Sequence, residues 1–169
     1  MTVSQLNRSG REAFTHAVGF AFEHSPWIAE AAWERRPFES VDDLLARMVA
    51  IVEQAPVEEQ IALICAHPDL AGRVAREGRL TAASRDEQGS AGLDTLSVGE
   101  IARFETLNGA YRARFGFPFV ICARQHDKDS ILAELETRSR NAPEREIEKA
   151  LQEIAKIARL RLHDAVQNG

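Results

Sequence analysis

Cysteine and long apolar runs are scarce in this sequence, and each shortage excludes a class of protein. Only two cysteines, Cys65 and Cys122, occur in 169 residues, each inside an apolar segment and without a C-x-x-C partner. We expect both to be buried, reduced thiols, which is typical of a reducing compartment and not of a disulfide-stapled secreted domain. No apolar run approaches the roughly 20 residues that a membrane-spanning helix needs.

Basic residues are not in excess either. Lysine and arginine together number 21 against 26 acidic residues, the net charge is -5, and the basic residues form no stripe. We therefore expect no nucleic acid partner. The first residues lack the apolar core of a signal peptide, and the final V-Q-N-G is not a peroxisomal address. These features predict a cytoplasmic protein with a single domain over 1–169, long enough to build its own core.

Capping residues and apolar periodicity predict an all-α fold. Serine or proline marks several helix starts, and apolar residues then recur at helical spacing. The predicted helices are Arg11 to Phe22, one from Ser25-Pro26, one after Ser40, Pro56 to His67, one after each S-x-x-E capping box at Ser84-Glu87 and Ser97-Glu100, Asp127 to Ser139, and Pro143 to Val166. Phe115 to Ala123, F-G-F-P-F-V-I-C-A, is too short and too interrupted for a helix, so we expect one buried extended segment there.

One arginine of the last helix falls on its apolar face. At roughly 100° per residue, Arg161 lies about 20° from Ile154, at the centre of the apolar stripe, whereas Arg159 lies on the opposite side. A buried guanidinium needs a partner, because an isolated charge is costly to remove from water. The pattern leaves two interpretations open: an internal ion pair with a glutamate, or an anchor for an anion or a carbonyl group in a pocket.

His67 directly precedes a proline, at a predicted helix end. It is a candidate proton-transfer group, but a histidine before proline is also a common turn residue. The five histidines have no metal-ligand spacing, so we expect no metal site. For Ser84 and Glu87 the pattern favours capping over catalysis, with Gln88 at the surface. No spacing joins His67, Glu87 and Arg161 into one site.

Five stretches taken together resemble one family. They are E-H-S-P-W (Glu23 to Trp27), A-H-P-D-L-A-G (Ala66 to Gly72), S-R-D-E-Q (Ser84 to Gln88), F-G-F-P-F-V-I-C (Phe115 to Cys122) and the late E-I-A-K-I-A-R-L-R-L. Their order along nearly the whole chain is similar to that of 2-oxo-4-hydroxy-4-carboxy-5-ureidoimidazoline (OHCU) decarboxylases, which complete the conversion of urate to (S)-allantoin. The resemblance implies a compact, all-helical, cofactor-free carboxy-lyase that acts on OHCU and forms a homodimer.

The resemblance also implies roles for particular residues. His67 matches the catalytic histidine, Glu87 the acidic residue beside it, and Arg161 the arginine of the last helix. The implied substrate contacts are Pro68, Ser84, Arg85, Asp86, Glu87 and Gln88, with the backbone of Phe119, Val120, Ile121, Cys122 and Ala123. Two other readings remain: a ring-opening hydrolase of a hydantoin-like purine or pyrimidine catabolite, and a non-catalytic helical interaction module.

Overall fold

The described residues form α-helices joined by short turns. A computed structural model describes residues 1–72, 75 and 77–169 of the chain, and no strand occurs in that part. One isolated β-bridge pairs Thr2 with Gln167. The predicted all-α fold class is therefore confirmed. The α-helices are Val3–Arg8 (α1), Arg11–Val18 (α2), Pro26–Trp33 (α3), Val41–Gln54 (α4), Val57–Cys65 (α5), Ala82–Ser90 (α6), Val98–Phe115 (α7), Lys128–Arg138 (α8) and Pro143–Ala165 (α9).

The chain divides into two compact units. The first contains Met1–Ala66 and Ile154–Gly169, and the second contains His67–Glu153. Helix α9 therefore gives residues 143–153 to the second unit and residues 154–165 to the first. The expectation of a single domain over 1–169 stays a prediction.

In the first unit, α3 packs against α2 and α4. Helix α4 illustrates how the sequence forms these helices. The hydroxyl of Ser40 accepts a hydrogen bond from the Asp43 amide at 3.0 Å, and such an N-cap contributes about 1 kcal/mol. Leu44 and Met48 then recur at helical spacing and are fully buried. The predicted helix after Ser40 is confirmed.

Two predicted helices of the first unit end differently from expectation. The segment that begins at Arg11 changes after Val18 into a 3₁₀ turn, Gly19–Ala21. Helix α5 ends at Cys65 with Ala66 as its C-cap, so His67 already lies outside the helix. The expectation that Cys65 is buried is wrong, because its side chain is exposed, whereas Cys122 of the second unit is buried as expected.

In the second unit, α7 packs against α8, and its start and its end follow from its sequence. Ser97 and Glu100 form the predicted capping box, each side chain bonding the backbone of the other residue. The helix ends at Phe115, and its C-cap is Gly116, whose φ of 79° is readily adopted only by glycine. The next residues, Phe117 to Ala123, are all buried, and no helix occurs among them before the 3₁₀ helix Ala123–Gln125. The predicted segment, Phe115 to Ala123, is therefore shorter than expected, because Phe115 still belongs to α7 and Ala123 begins the 3₁₀ helix; the name extended segment is kept for Phe117 to Ala123.

The other predicted capping box is wrong. Helix α6 begins one turn earlier than expected, because the hydroxyl of Thr81 accepts a hydrogen bond from the Ser84 amide at 3.2 Å. Ser84 is thus inside the helix and is not its N-cap. Thr81 and Ser84 are both good N-cap residues, so the pattern S-x-x-E did not identify the start.

Candidate functional site

His67 lies just after the C-cap of α5, with only 6% of its surface exposed. A turn over residues 69–72 follows it. The turn closes at Gly72, whose amide donates to the carbonyl oxygen of Asp69 at 3.3 Å. Ala71 has a positive φ of 52°, which is strained for a residue with a side chain. A backbone held in such a conformation needs support from its surroundings.

Two buried amide side chains provide that support. Gln88 of α6 accepts a hydrogen bond from the Ala71 amide at 3.0 Å, and Asn108 of α7 donates to the carbonyl oxygen of Leu70 at 2.9 Å. The expectation that Gln88 lies at the surface is therefore wrong. The turn over residues 69–72, which follows His67, is thus tied to two helices. Asn108 was missed because nothing in its spacing distinguishes it from other polar residues of α7.

Gly72→Ala is expected to destabilise the protein by about 1–3 kcal/mol, the usual range for overpacking. A Cβ atom at this position would lie 2.8 Å from the Cβ of Asp69 and 3.2 Å from its carbonyl oxygen. The matched control is Gly109→Ala, in the interior of α7, where a Cβ atom meets nothing within 4 Å and alanine should stabilise the helix slightly. Urea denaturation of both variants measures the difference, and equal stability would contradict the close approach.

Helix α6 directs one predicted set of site residues inward. Ser84 and Gln88 are buried, and Glu87 between them is half-buried, which the i, i+3, i+4 spacing explains. Arg85 and Asp86 are exposed. Arg85 and Gln88 are among the residues that line a partly enclosed pocket of about 260 Å³.

The extended segment brings a second predicted set to the same helix. All five of its predicted contact residues are buried, namely Phe119, Val120, Ile121, Cys122 and Ala123. The 3₁₀ helix Ala123–Gln125, which continues the segment, packs against α6. The structure therefore gathers the predicted substrate-contact segment and the turn that follows His67 around α6.

The hydrogen bonds of the segment are unevenly distributed. Arg138 Nη1 donates to the carbonyl oxygen of Val120 at 2.8 Å, and the Cys122 amide donates to Glu153 Oε2 at 3.1 Å. Within the described part of the chain, the amides of the other predicted contacts find no acceptor; they belong to Phe119, Val120, Ile121 and Ala123. Buried amides are nearly always paired, so a row without protein acceptors indicates a place for a ligand or water.

A buried polar cluster lies beside the segment. Glu146 Oε1 accepts hydrogen bonds from the Tyr111 hydroxyl at 2.6 Å and from Arg138 Nε at 2.7 Å, and Glu146 Oε2 accepts from Asn141 at 2.9 Å. Burial and the adjacent Glu146 carboxylate raise the pKa of the Tyr111 hydroxyl, which stays a proton donor. Periodicity does not identify Glu146, because it lies about 80° from the centre of the apolar stripe of α9.

Arg161 belongs to the first unit and faces inward. Its side chain is 3% exposed, whereas that of Arg159 is 60% exposed, so the predicted difference between the two arginines is confirmed. Arg161 Nη1 lies 2.8 Å from Glu23 Oε2 and donates to the carbonyl oxygen of Phe20 at 3.1 Å. The internal ion pair, one of the two interpretations of the pattern, is thus present. The role of Arg161 in the same site as His67 and Glu87 stays a prediction.

Among residues 1–72, 75 and 77–169, no group of three histidine, cysteine, aspartate or glutamate side chains is arranged to hold a metal ion. None of the helices described is long and apolar enough to cross a membrane.

Comparisons with known proteins agree with the resemblance in the motifs. The 2-oxo-4-hydroxy-4-carboxy-5-ureidoimidazoline decarboxylase of Amia calva is 44% identical over 167 residues, which cover 99% of this chain and 95% of that protein. The protein of the same description from Haloferax volcanii is 44% identical over 162 residues, or 96% of this chain and 94% of that protein.

A solved structure and a family model extend the comparison. The crystal structure of an (S)-allantoin synthase is 32% identical with a TM-score of 0.80; it covers 99% of this chain, which spans 54% of that longer chain. A sequence model of the family described as OHCU decarboxylase matches residues 7–163. By its sequence over nearly its full length, the chain belongs to the OHCU decarboxylase family.

Proposed function

We propose that this chain converts OHCU to (S)-allantoin and carbon dioxide, the third step of urate degradation. Relatives that are 44% identical over nearly the full length support the reaction. The observation in the structure that carries the proposal is the row of buried backbone amides in Phe119 to Ala123, which have no acceptor among the described residues except at Cys122. Such a row suits a flat ligand with several carbonyl oxygens.

The reaction makes three demands on the protein. The bond between the carboxylate and the ring carbon breaks, carbon dioxide leaves, and the electron pair moves into the unsaturated imidazoline ring. This leaves an enol, whose hydroxyl loses its proton as it becomes the ring carbonyl, and a proton adds from one face to the neighbouring carbon, which carries the ureido group. Because the ring accepts the electron pair, we expect no cofactor to be needed as an electron sink. The protein has to orient the substrate, favour the developing charge over the starting carboxylate, and deliver the proton.

His67 is the proposed general acid/base, which takes or gives the proton in the step that fixes stereochemistry. Its burial and the support of the turn that follows it by Gln88 and Asn108 favour this role, since proton transfer needs a fixed geometry. Glu87 would orient the imidazole or bind the substrate hydroxyl. Its half-buried position on the face of α6 that also carries Gln88 is consistent with either task.

Substrate oxygens would be bound by the amides of the extended segment and by inward side chains of α6, Ser84 and Gln88. Backbone donors fixed in a buried segment stabilise charge that develops on a carbonyl oxygen without having to reorganise. Their burial also strengthens each hydrogen bond. Pro68, Arg85 and Asp86 complete the proposed contacts, with Arg85 and Asp86 on the exposed side of α6.

Arg161 is proposed to bind a carbonyl oxygen of the ring or the ureido group. A direct ion pair with the departing carboxylate would stabilise the starting state and raise the barrier. The burial of Arg161 favours a strong interaction with such a carbonyl, and Glu23 would keep the guanidinium oriented. We further propose that the enzyme works as a cytoplasmic homodimer, which light scattering and cell fractionation would test.

The decisive experiment generates OHCU in situ from urate with urate oxidase and hydroxyisourate hydrolase, and then adds this protein. Uncatalysed decay has no reason to prefer one face of the ring and should give racemic allantoin. We expect faster loss of OHCU together with a growing circular dichroism signal of (S)-allantoin.

Product masses separate this proposal from the hydrolase alternative, because decarboxylation removes carbon dioxide and hydrolysis adds water. An unchanged rate with a racemic product would contradict the proposed function. The non-catalytic helical interaction module would then be the remaining alternative.

A further inference from the structure

We propose that Glu153, directly, and Glu146, through Arg138, are positioning residues for the decarboxylation. They hold the extended segment so that one edge of its backbone faces the substrate. The inference rests on the proposed role of Phe119 to Ala123 in substrate binding and adds two carboxylates that lie outside the residues implied by the family motifs.

The two glutamates act from one side of α9. They are seven residues apart, which is about two helical turns, so their side chains project in nearly the same direction. Glu146 is 0% exposed and Glu153 is 3% exposed. A buried carboxylate is costly unless it is well bonded, so two of them on one helix face need strong partners.

Their partners lie two residues apart in the extended segment. Glu153 Oε2 accepts the hydrogen bond of the Cys122 amide at 3.1 Å. Glu146 binds Arg138 Nε at 2.7 Å, and the same guanidinium donates to the carbonyl oxygen of Val120 at 2.8 Å. The Arg138 guanidinium also lies over the ring of Phe119, 4.4 Å from its centre. Backbone and side chain of the segment are therefore both held.

The direction of the backbone N–H and C=O groups alternates along an extended chain, and this decides which amides remain available to a substrate. In such a chain the N–H and C=O groups of one residue point to one edge, and those of the next residue point to the other. The bonds to Val120 and Cys122 therefore occupy one edge. The same alternation places the amides of Phe119 and Ile121 at the opposite edge, and neither of them has an acceptor in the described part of the chain.

Carboxylates suit this task better than neutral side chains. Charge-assisted hydrogen bonds are shorter and about twice as strong as neutral ones, so they restrict the segment more tightly. Lys149 Nζ lies 3.4 Å from Glu153 Oε1, so this carboxylate also has a cationic neighbour. An error of about 1 Å in the amide edge would be enough to lower the rate strongly, because catalysis depends on close orientation.

The experiment compares three variants at Glu153 with the OHCU assay. Glu153→Leu removes the acceptor of the Cys122 amide, Glu153→Asp keeps the charge but shortens the side chain, and Glu153→Gln keeps an oxygen at the same reach. We expect KM for OHCU to rise about tenfold or more in Glu153→Leu, less in Glu153→Asp, and little in Glu153→Gln. Glu148→Leu, at an exposed position of the same helix, is the matched control.

Two readouts distinguish positioning from a loss of folded protein. A smaller folded fraction lowers the maximal rate in proportion but leaves KM and the stereochemistry of the enzymatic product unchanged. Misplaced amides raise KM and lower the enantiomeric excess of (S)-allantoin, measured at enzyme concentrations where uncatalysed decay is negligible. If Glu153→Leu does not fold, KM and enantiomeric excess are measured for Glu153→Asp instead, and they test the positioning role in the same way.

The outcomes are separable from those of the proposed function. A wild-type protein that does not act on OHCU contradicts the proposed function itself. An active wild type whose folded Glu153→Leu or Glu153→Asp variant keeps both KM and enantiomeric excess overturns only the positioning role.

Discussion

His67→Asn is expected to lower kcat for OHCU by about 10²–10⁴-fold, the usual contribution of a positioned general acid or base. Asparagine is polar and of similar size, but it cannot exchange a proton near neutral pH. The remaining turnover should give (S)-allantoin of reduced enantiomeric excess, because water then protonates the ring carbon that carries the ureido group. Rates and circular dichroism of the product, followed at several enzyme concentrations, measure both effects.

The control for this variant is His16→Asn, at an exposed position of α2, which should keep the wild-type rate. Thermal unfolding of both variants would detect any loss of structure. Since His67 is buried, some destabilisation of His67→Asn is expected without loss of the fold. A folded His67→Asn protein with full rate and full enantiomeric excess would exclude the proton-transfer role.

Arg161→Met is expected to destabilise the protein by about 3–5 kcal/mol, because it leaves the buried carboxylate of Glu23 without its arginine partner. Arg159→Met is the matched control on the same helix. Its side chain is 60% exposed and its ion pair with Asp42 is a surface contact, so the change should stay within about 0.5 kcal/mol. Urea denaturation of the two variants gives the comparison.

A double variant separates the structural role of Arg161 from its proposed catalytic role. In Glu23→Leu/Arg161→Met both charges are replaced by apolar side chains, and such a replacement of a buried ion pair is often neutral. We therefore expect stability to return towards wild type while activity stays low. Recovery of activity together with stability would mean that Arg161 serves the fold alone.

Local signals predicted most helix starts, and one failure shows their limit. Ser97-x-x-Glu100 and Ser84-x-x-Glu87 have the same pattern, yet only the first forms a capping box. The difference is Thr81, a competing cap one turn before Ser84. A pattern of four residues cannot choose between two consecutive caps, because the choice depends on the packing of the whole helix.

Predicting the site required more than local patterns. The helical angle of Arg161 correctly predicted its burial, but Glu23 is its partner through tertiary contact and lies far away in the sequence. Glu146 and Glu153 contact the extended segment or its partner Arg138 only because α9 packs with these two positions beside them. The spacing of residues within α9 does not predict that packing. Residues that lie on one face of one element are predictable in this chain, whereas pairings between elements are not.

The acceptor-less amides of the extended segment also determine which kind of mutagenesis can detect them. A backbone donor has no side-chain identity, so replacing Ile121 by alanine leaves its N–H in place. A library of alanine substitutions would therefore pass over the proposed substrate edge and detect only residues that hold it, such as Glu153. Proline, or an ester in place of the Ile121 amide, removes the donor itself. Substrate recognition in this protein would then depend on main-chain N–H groups. Most single-nucleotide changes at those codons replace the side chain and leave these donors in place.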